Sequence, residues 1–359
     1  MPKKRAPLLW STALTRSFNR QLSRTLARSV RLGLKAMGQP PVVAVRRPAH
    51  KTKTAAAVKT SQRRASPRPS AQLGAGATVG GLAAGPAGAR RYRLFTPAPL
   101  LPGERLPLVV MLHGCGQDAD AFALSTRMNR LAASARFMVL YPEQDRRVNL
   151  QGCWNWYDTD SRRAYREAAT LAAAIDQVGL LYPVDVDRIG VAGLSAGASM
   201  AALLASRYPA RFCAVVMHSG IPPGSAHSAS SALRAMLGRK TPTPLDTATR
   251  WPPLLVIHGS ADTVVAPSNG EAAALLWANA AGAKRQPSRT VQRGQRHPMT
   301  LTDFGQQRRV AATLCVVNGL GHAWSGGAPG RAHSDASGPD ASRMVWAFMA
   351  RQFGLAGSG

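Results

Sequence analysis

No acidic residue occurs before Glu104. The first 103 residues carry 20 Lys and Arg, whereas the remainder balances 26 basic residues against 17 acidic ones. The formal charge of +29 therefore belongs mainly to a cationic arm ahead of a mildly basic body. Such an arm suits an anionic partner such as a lipid surface, an acidic protein or nucleic acid; a solvated tail is favoured over nucleic-acid binding. No run approaches the roughly 18 apolar residues that span a bilayer. The basic start at Lys3-Lys4-Arg5 precedes only a short apolar stretch broken by Ser11, Thr12, Thr15 and Arg16, a poor secretory signal. Four scattered cysteines, Cys115, Cys153, Cys213 and Cys315, exclude a disulfide scaffold and lack the Cys-x-x-Cys spacing of zinc sites. The eight histidines do not cluster, so neither a metal nor another cofactor is expected.

What is present falls into three parts. Residues 1–38 hold an amphipathic helix in which Trp10, Leu14, Phe18, Leu22, Leu26, Val30 and Leu34 recur every four positions. Arg16, Arg20, Arg24 and Arg28 run nearly opposite, the pattern of a helix lying on an anionic or apolar surface; a transit peptide or a helix docked on its own domain would look similar. Residues 39–90, rich in Ala, Lys, Thr, Arg, Pro and Gly with almost no aromatics, read as a disordered basic linker. From residue 91 to 359, strands alternate with helices, which indicates one α/β domain with a mostly parallel sheet flanked by helices. Strands are expected at 92–96 (an edge), 106–112, 137–141, 187–192, 212–217, 253–257 and 311–317. Helices are expected at 120–135, 167–177, 198–208, 270–281 and 341–353. Continuous apolar runs such as 106–112 suit strands buried on both faces.

Gly193-Leu194-Ser195-Ala196-Gly197 lies between a strand and a small-residue helix. The pattern alone is common in a chain rich in Gly and Ser. In this context it predicts a sharp turn that lifts a serine Oγ out of the backbone beside a helix N-terminus. Serine is a poor nucleophile unless an imidazole takes its proton and a carboxylate orients that imidazole. Two later post-strand loops supply candidates. His258-Gly259-Ser260-Ala261-Asp262 offers Asp262, with Asp335 and Asp340 as alternatives, and Gly319-Leu320-Gly321-His322 offers His322. The order Ser…Asp…His is that of α/β-hydrolases. The backbone N–H groups of Cys115 and Ala196 are the expected oxyanion donors, with His113 shaping the first turn. Cys213 and Cys315 read as core residues.

His113-Gly114-Cys115-Gly116-Gln117, Gly152-Cys153-Trp154-Asn155-Trp156, Gly193-Leu194-Ser195-Ala196-Gly197 and Gly321-His322-Ala323-Trp324, in this order, resemble the polyhydroxybutyrate (PHB) depolymerase esterase family over roughly residues 91–356. The resemblance implies an α/β-hydrolase fold, the triad Ser195, Asp262 and His322, and a serine esterase acting on poly(3-hydroxybutyrate) or its oligomers. Feruloyl, acetylxylan or small esters are the alternative substrates, and a granule- or nucleic-acid-coating protein with an idle hydrolase domain is the alternative of another class. Trp154, Trp156 and Trp324 are candidates for lining the chain-binding groove. The resemblance also brings Cys115 near Cys153, a disulfide in exported members. The poor signal, the absence of a C-terminal polymer-binding module and the basic arm resemble intracellular depolymerases. The expectation is therefore a cytoplasmic, granule-associated enzyme, with secretion left open; a reducing cytosol would favour thiols over the possible Cys115–Cys153 disulfide. Ser325 stands where the family commonly has proline, leaving the loop beside His322 less fixed.

Overall fold

The computed structural model describes residues 75–243, 250–306 and 309–355. The arm helix at 1–38 and most of the 39–90 linker lie outside these residues. The strands are β1 (Gly76–Ala83), β2 (Arg90–Pro97), β3 (Leu106–Leu112), β4 (Met138–Pro142), β5 (Val184–Leu194), β6 (Ala214–His218) and β7 (Leu254–Gly259). They continue with β8 (Lys284–Arg285), β9 (Arg289–Val291), β10 (Met299–Gln306), β11 (Arg309–Val317), β12 (Trp324–Ser325) and β13 (Ser334–Asp335). The helices are α1 (Ala119–Thr126), α2 (Met128–Ala135), α3 (Arg163–Leu181), α4 (Ala196–Arg207), α5 (Ala229–Met236), α6 (Ser268–Ala280) and α7 (Ala341–Gln352).

The large sheet runs β1-β2-β4-β3-β5-β6-β7-β11-β10-β8, with β9 also paired to β10. Every pairing from β4 across to β11 is parallel, and antiparallel strands close both edges. All residues of β3, β4, β6 and β7 are buried, as expected of strands covered on both faces. Successive strand side chains point to opposite faces. Leu108, Val110 and Leu112 accordingly join the core under α3 to α6, while Val109 and Met111 join Phe122, Met128 and Phe348 under α1, α2 and α7. Each large apolar side chain buried this way contributes roughly 1.5–3 kcal/mol.

Three expectations need correction. The linker does not extend to residue 90, because β1 lies inside that segment and pairs in register with β2. Its sequence, GATVGGLA, is glycine-rich and mostly exposed, so it carries no hydrophobic alternation; the backbone ladder makes the strand. Consequently β2 is not an edge. The expected helix over 120–135 is two helices, broken at Arg127, whose backbone is left-handed (φ 56°) and whose guanidinium donates to the Gly326 carbonyl at 2.6 Å. The short or polar strands β8 to β10, absent from the expected set, have no continuous apolar run to mark them. Among the described residues, no helix is long and apolar enough to cross a membrane.

Candidate active site

Between the last residue of β5 and the first of α4 stands one residue, Ser195, with φ 56° and ψ −120°. A left-handed φ costs a non-glycine residue about 1–3 kcal/mol, so its surroundings must hold it. The Ser195 amide donates to the His218 carbonyl at 2.9 Å, and the Ser199 amide donates to the Ser195 carbonyl at 3.0 Å. The two flanking glycines are required by close approach. A Cβ on Gly193 would stand 2.3 Å from the Gly197 backbone, and one on Gly197 would stand 2.1 Å from the Leu112 carbonyl oxygen. The elbow therefore forms only where helix α4 can touch the ends of β3 and β5.

The turn after β3 is tied from several sides. His113 Nδ1–H donates to the Gly114 carbonyl at 2.9 Å, and its Nε2 accepts the Gln144 amide at 3.1 Å. The Trp154 indole N–H donates to the His113 carbonyl at 3.1 Å, and the Gly116 amide donates to the Gln151 carbonyl at 2.8 Å. A disulfide joins Cys115 to Cys153, the pairing that the family resemblance implies. Closing a loop of this 38-residue separation stabilises the fold by about 4 kcal/mol in the chain-entropy account. Beneath the 152–157 loop, Glu167 accepts from the Asn155 amide (2.9 Å), the Asn155 side chain (2.6 Å) and Gln144 (2.9 Å). Burial raises the Glu167 carboxyl, while these donors and nearby Arg90 pull the other way.

The loops after β7 and β11 are sewn together because those strands are sheet neighbours. The Ser260 amide donates to the Val317 carbonyl (2.9 Å), the Ala261 amide to that of Leu320 (3.0 Å), and the Gly319 amide to Ser260 Oγ (2.9 Å). This places His322 Nδ1 2.7 Å from Asp262 Oδ2, with both side chains almost wholly buried. Asp262 Oδ1 accepts the amides of Val264 and Val265, each at 2.9 Å. His258 Nε2 donates to the Val265 carbonyl at 3.0 Å and lies 3.5 Å from Asp262 Oδ2. Burial alone would raise the Asp262 carboxyl, but the charges and hydrogen bonds of His322 and His258 outweigh it and hold the group well below the usual carboxylate range. The alternative acids are engaged elsewhere: Asp335 faces His297, and Asp340 caps α7.

Ser195, Ala196, Cys115, Trp154 and Trp156 line one narrow cleft of about 340 Å³, counting its open mouth, together with Tyr157, Ile221, Met236 and Val265. Its walls are largely apolar and carry no charged side chain. Trp324 does not belong to it. Its indole is fully buried, packs edge-on against Phe122 and stacks on His218, and donates to Ser342 Oγ at 3.1 Å. A second correction concerns Ser325. In place of a loosened loop, its amide donates to His218 Nε2 at 3.1 Å, its Oγ donates to the Pro339 carbonyl at 2.6 Å, and it pairs with Asp335 between β12 and β13.

His322 Nε2 is buried with no protein hydrogen-bond partner, and no hydrogen bond joins it to Ser195 Oγ. An imidazole oriented through Nδ1 by a carboxylate and bare at Nε2 can accept and return a proton, which is the requirement of nucleophilic acyl transfer. Two further histidines that the sequence reading did not single out, His218 and His258, stand at β-strand ends facing this site. Their places at the C-terminal ends of apolar strand runs are the signal the sequence offers. Glu167 has none beyond its helix.

Two neutral buried histidines make the fold acid-sensitive. Burial lowers His218 from 6.5 to about 3, aided by electrostatic repulsion from the neighbouring His258 and His322, and burial lowers His113 from 6.5 to about 4. The unfolded chain takes up both protons as pH falls through 6.5 while the folded chain does not, so the stability present above that value is lost on the way down. Each pH unit below 6.5 costs about 1.4 kcal/mol per histidine until the folded ring itself protonates, so each one removes roughly 3 kcal/mol by pH ~4. Thermal melts followed by circular dichroism should show the Tm dropping steeply below pH ~6.5; a flat Tm over that range would contradict the neutral assignment.

Comparison with known proteins agrees with this geometry. The family model described as Esterase PHB depolymerase matches residues 91–286. Poly(3-hydroxyalkanoate) depolymerase C of Paucimonas lemoignei is 32% identical over 207 residues, covering 54% of this chain and 50% of that protein. The match thus spans half of that relative's length. Feruloyl esterase B of Neurospora crassa is 26% identical over 208 residues, 53% of this chain and 70% of the relative. Acetyl xylan esterase from Aspergillus awamori shares the fold at a TM-score of 0.58 and 18% identity, covering 77% of this chain and all of its own. The strand-helix elbow, the parallel sheet and the family match together place the chain in the PHB depolymerase family of α/β-hydrolase esterases.

Proposed function

We propose that the chain hydrolyses the ester bonds of poly(3-hydroxybutyrate) or its oligomers through an acyl-enzyme on Ser195. The observation that carries the reading is the Asp262–His322 pair with His322 Nε2 left without a partner. In this mechanism Ser195 Oγ attacks the ester carbonyl carbon as its proton passes to His322 Nε2. The carbonyl oxygen becomes an oxyanion that the Cys115 and Ala196 amides stabilise. Collapse breaks the ester C–O bond, and the leaving alkoxide takes the proton back from Nε2. Water, deprotonated by the same nitrogen, then attacks the acyl-enzyme, releases a hydroxyacid and restores Ser195. Asp262 orients the ring and balances the imidazolium. A cleft walled by Trp154, Trp156, Ile221 and Met236 suits a short, uncharged acyl unit.

A feruloyl- or acetylxylan-type specificity is the second reading, supported by relatives that carry those names. Release of 3-hydroxybutyrate from native amorphous granules, measured beside turnover of methyl ferulate and acetylated xylan, separates the two. Polymer hydrolysis should lead; a dominant rate on the ferulate or the xylan would overturn the polyester assignment. Repeating the granule assay without residues 1–74 tests whether the basic arm anchors the enzyme. An unchanged rate would remove that role.

A further inference from the structure

The elbow that carries Ser195 and the loop that carries His322 follow different strands, β5 and β11, and His218 touches both. His218 ends β6 between them. Its backbone carbonyl accepts the Ser195 amide at 2.9 Å. Its Nε2 accepts the Ser325 amide at 3.1 Å, and its ring stacks on Trp324 with centroids 5.0 Å apart and planes 26° apart. The opposite ring nitrogen, Nδ1, lies 3.2 Å from Ser219 Oγ, and the Ser219 amide in turn donates to the Ile257 carbonyl at 2.9 Å. The ring is fully buried.

We propose that His218 is a positioning residue that sets where His322 stands relative to Ser195, its carbonyl fixing the serine amide and its Nε2 fixing the segment just past His322. The proposal rests on reading Ser195 and His322 as the reacting pair. Its tautomer follows from the contacts. A nitrogen that accepts an N–H cannot itself carry a proton, so Nε2 is bare and Nδ1 is protonated. Burial keeps the ring neutral, so the acceptor persists through the working pH range. No other common side chain combines these features. Phenylalanine would keep the stack on Trp324 and leave the Ser325 amide without an acceptor; glutamine would offer the acceptor and lose the flat face. The same bond explains how a serine can stand at position 325 without loosening the loop. Where proline would stiffen the chain covalently, this chain holds an amide N–H in place with an imidazole.

The test compares wild type, His218→Phe, His218→Gln and Ser195→Ala on a short-chain 4-nitrophenyl ester. His218→Phe should lower kcat about 10- to 100-fold, the effect of misplacing a catalytic group by roughly an ångström, with KM within about twofold. His218→Gln should recover part of the lost kcat. The low-field proton resonance of the His322–Asp262 hydrogen bond should move or broaden in His218→Phe and be restored in His218→Gln, a change that a merely space-filling role would not produce. An unchanged kcat in folded His218→Phe, beside an inactive Ser195→Ala, would overturn the positioning role while leaving the esterase reading intact. Activity retained by Ser195→Ala would instead overturn the site reading and this proposal with it. Should His218→Phe fail to fold, nitrogen-15 histidine spectra of the wild type decide. A proton on Nδ1 with a bare Nε2 across the neutral range supports the proposal, and a proton on Nε2 overturns it.

Discussion

Replacing Ser195 with alanine is expected to lower kcat for ester hydrolysis by about a millionfold, with the fold intact. The size follows from the proposed chemistry, because without Oγ no acyl-enzyme forms and His322 has no nucleophile proton to move. The substitution is mild elsewhere. Ser195 is held by its backbone, through its amide to His218 and its carbonyl to the Ser199 amide, and alanine keeps both contacts. Stability should therefore change by no more than about 1 kcal/mol, and Tm measured beside kcat separates lost chemistry from lost fold. Granule hydrolysis that survived in the variant would overturn the mechanism. A wild-type protein with no activity on any ester would favour a coating role with an idle hydrolase domain.

Asp262→Asn is expected to lower kcat by about ten-thousandfold while leaving the loop in place. The asparagine Oδ1 can still accept the amides of Val264 and Val265, which is why the backbone should hold. What changes is the partner of His322 Nδ1. An amide N–H₂ facing that nitrogen selects the wrong tautomer and offers no charge to balance an imidazolium. The carboxylate also carries a stability signature with a defined sign. Its folded value lies well below 3.8, so its contribution is complete above that value and is lost as pH falls toward the folded one. The Tm gap between wild type and Asp262→Asn should therefore narrow below pH ~3.8; the acid loss from His113 is common to both proteins and cancels. A full-activity Asp262→Asn would remove the residue from the mechanism.

Much of this site is legible in the residues alone because its signals are local. Gly193 and Gly197 bracket a serine between an apolar run and a small-residue run, and that is enough to predict an elbow. The buried strands are equally plain, since continuous apolar stretches such as Leu106–Leu112 need cover on both faces. The differences have physical reasons too. β1 is built from glycines and exposed positions, so nothing in its composition marks a strand; its partner β2 makes it one. Trp324 follows His322 closely enough in the chain to suggest a place in the groove, yet its indole points into the core against Phe122 and His218.

By itself, the sequence determined the chemical types and their order. It placed a candidate nucleophile at a strand-to-helix turn, a candidate acid and imidazole after later strands, and a candidate oxyanion turn before them, within a mostly parallel α/β domain. Only the tertiary structure decided which carboxylate meets the imidazole, whether Cys115 and Cys153 join, and what holds the histidine loop. Those outcomes depend on the order in which strands pair. Asp262 and His322 meet because β7 and β11 lie side by side, and His218 can touch both the Ser195 elbow and the His322 loop because β6 stands between β5 and the β7–β11 pair. Residue spacing along the chain carries no record of that order, whereas the hydrogen-bonded ladder of the sheet sets it.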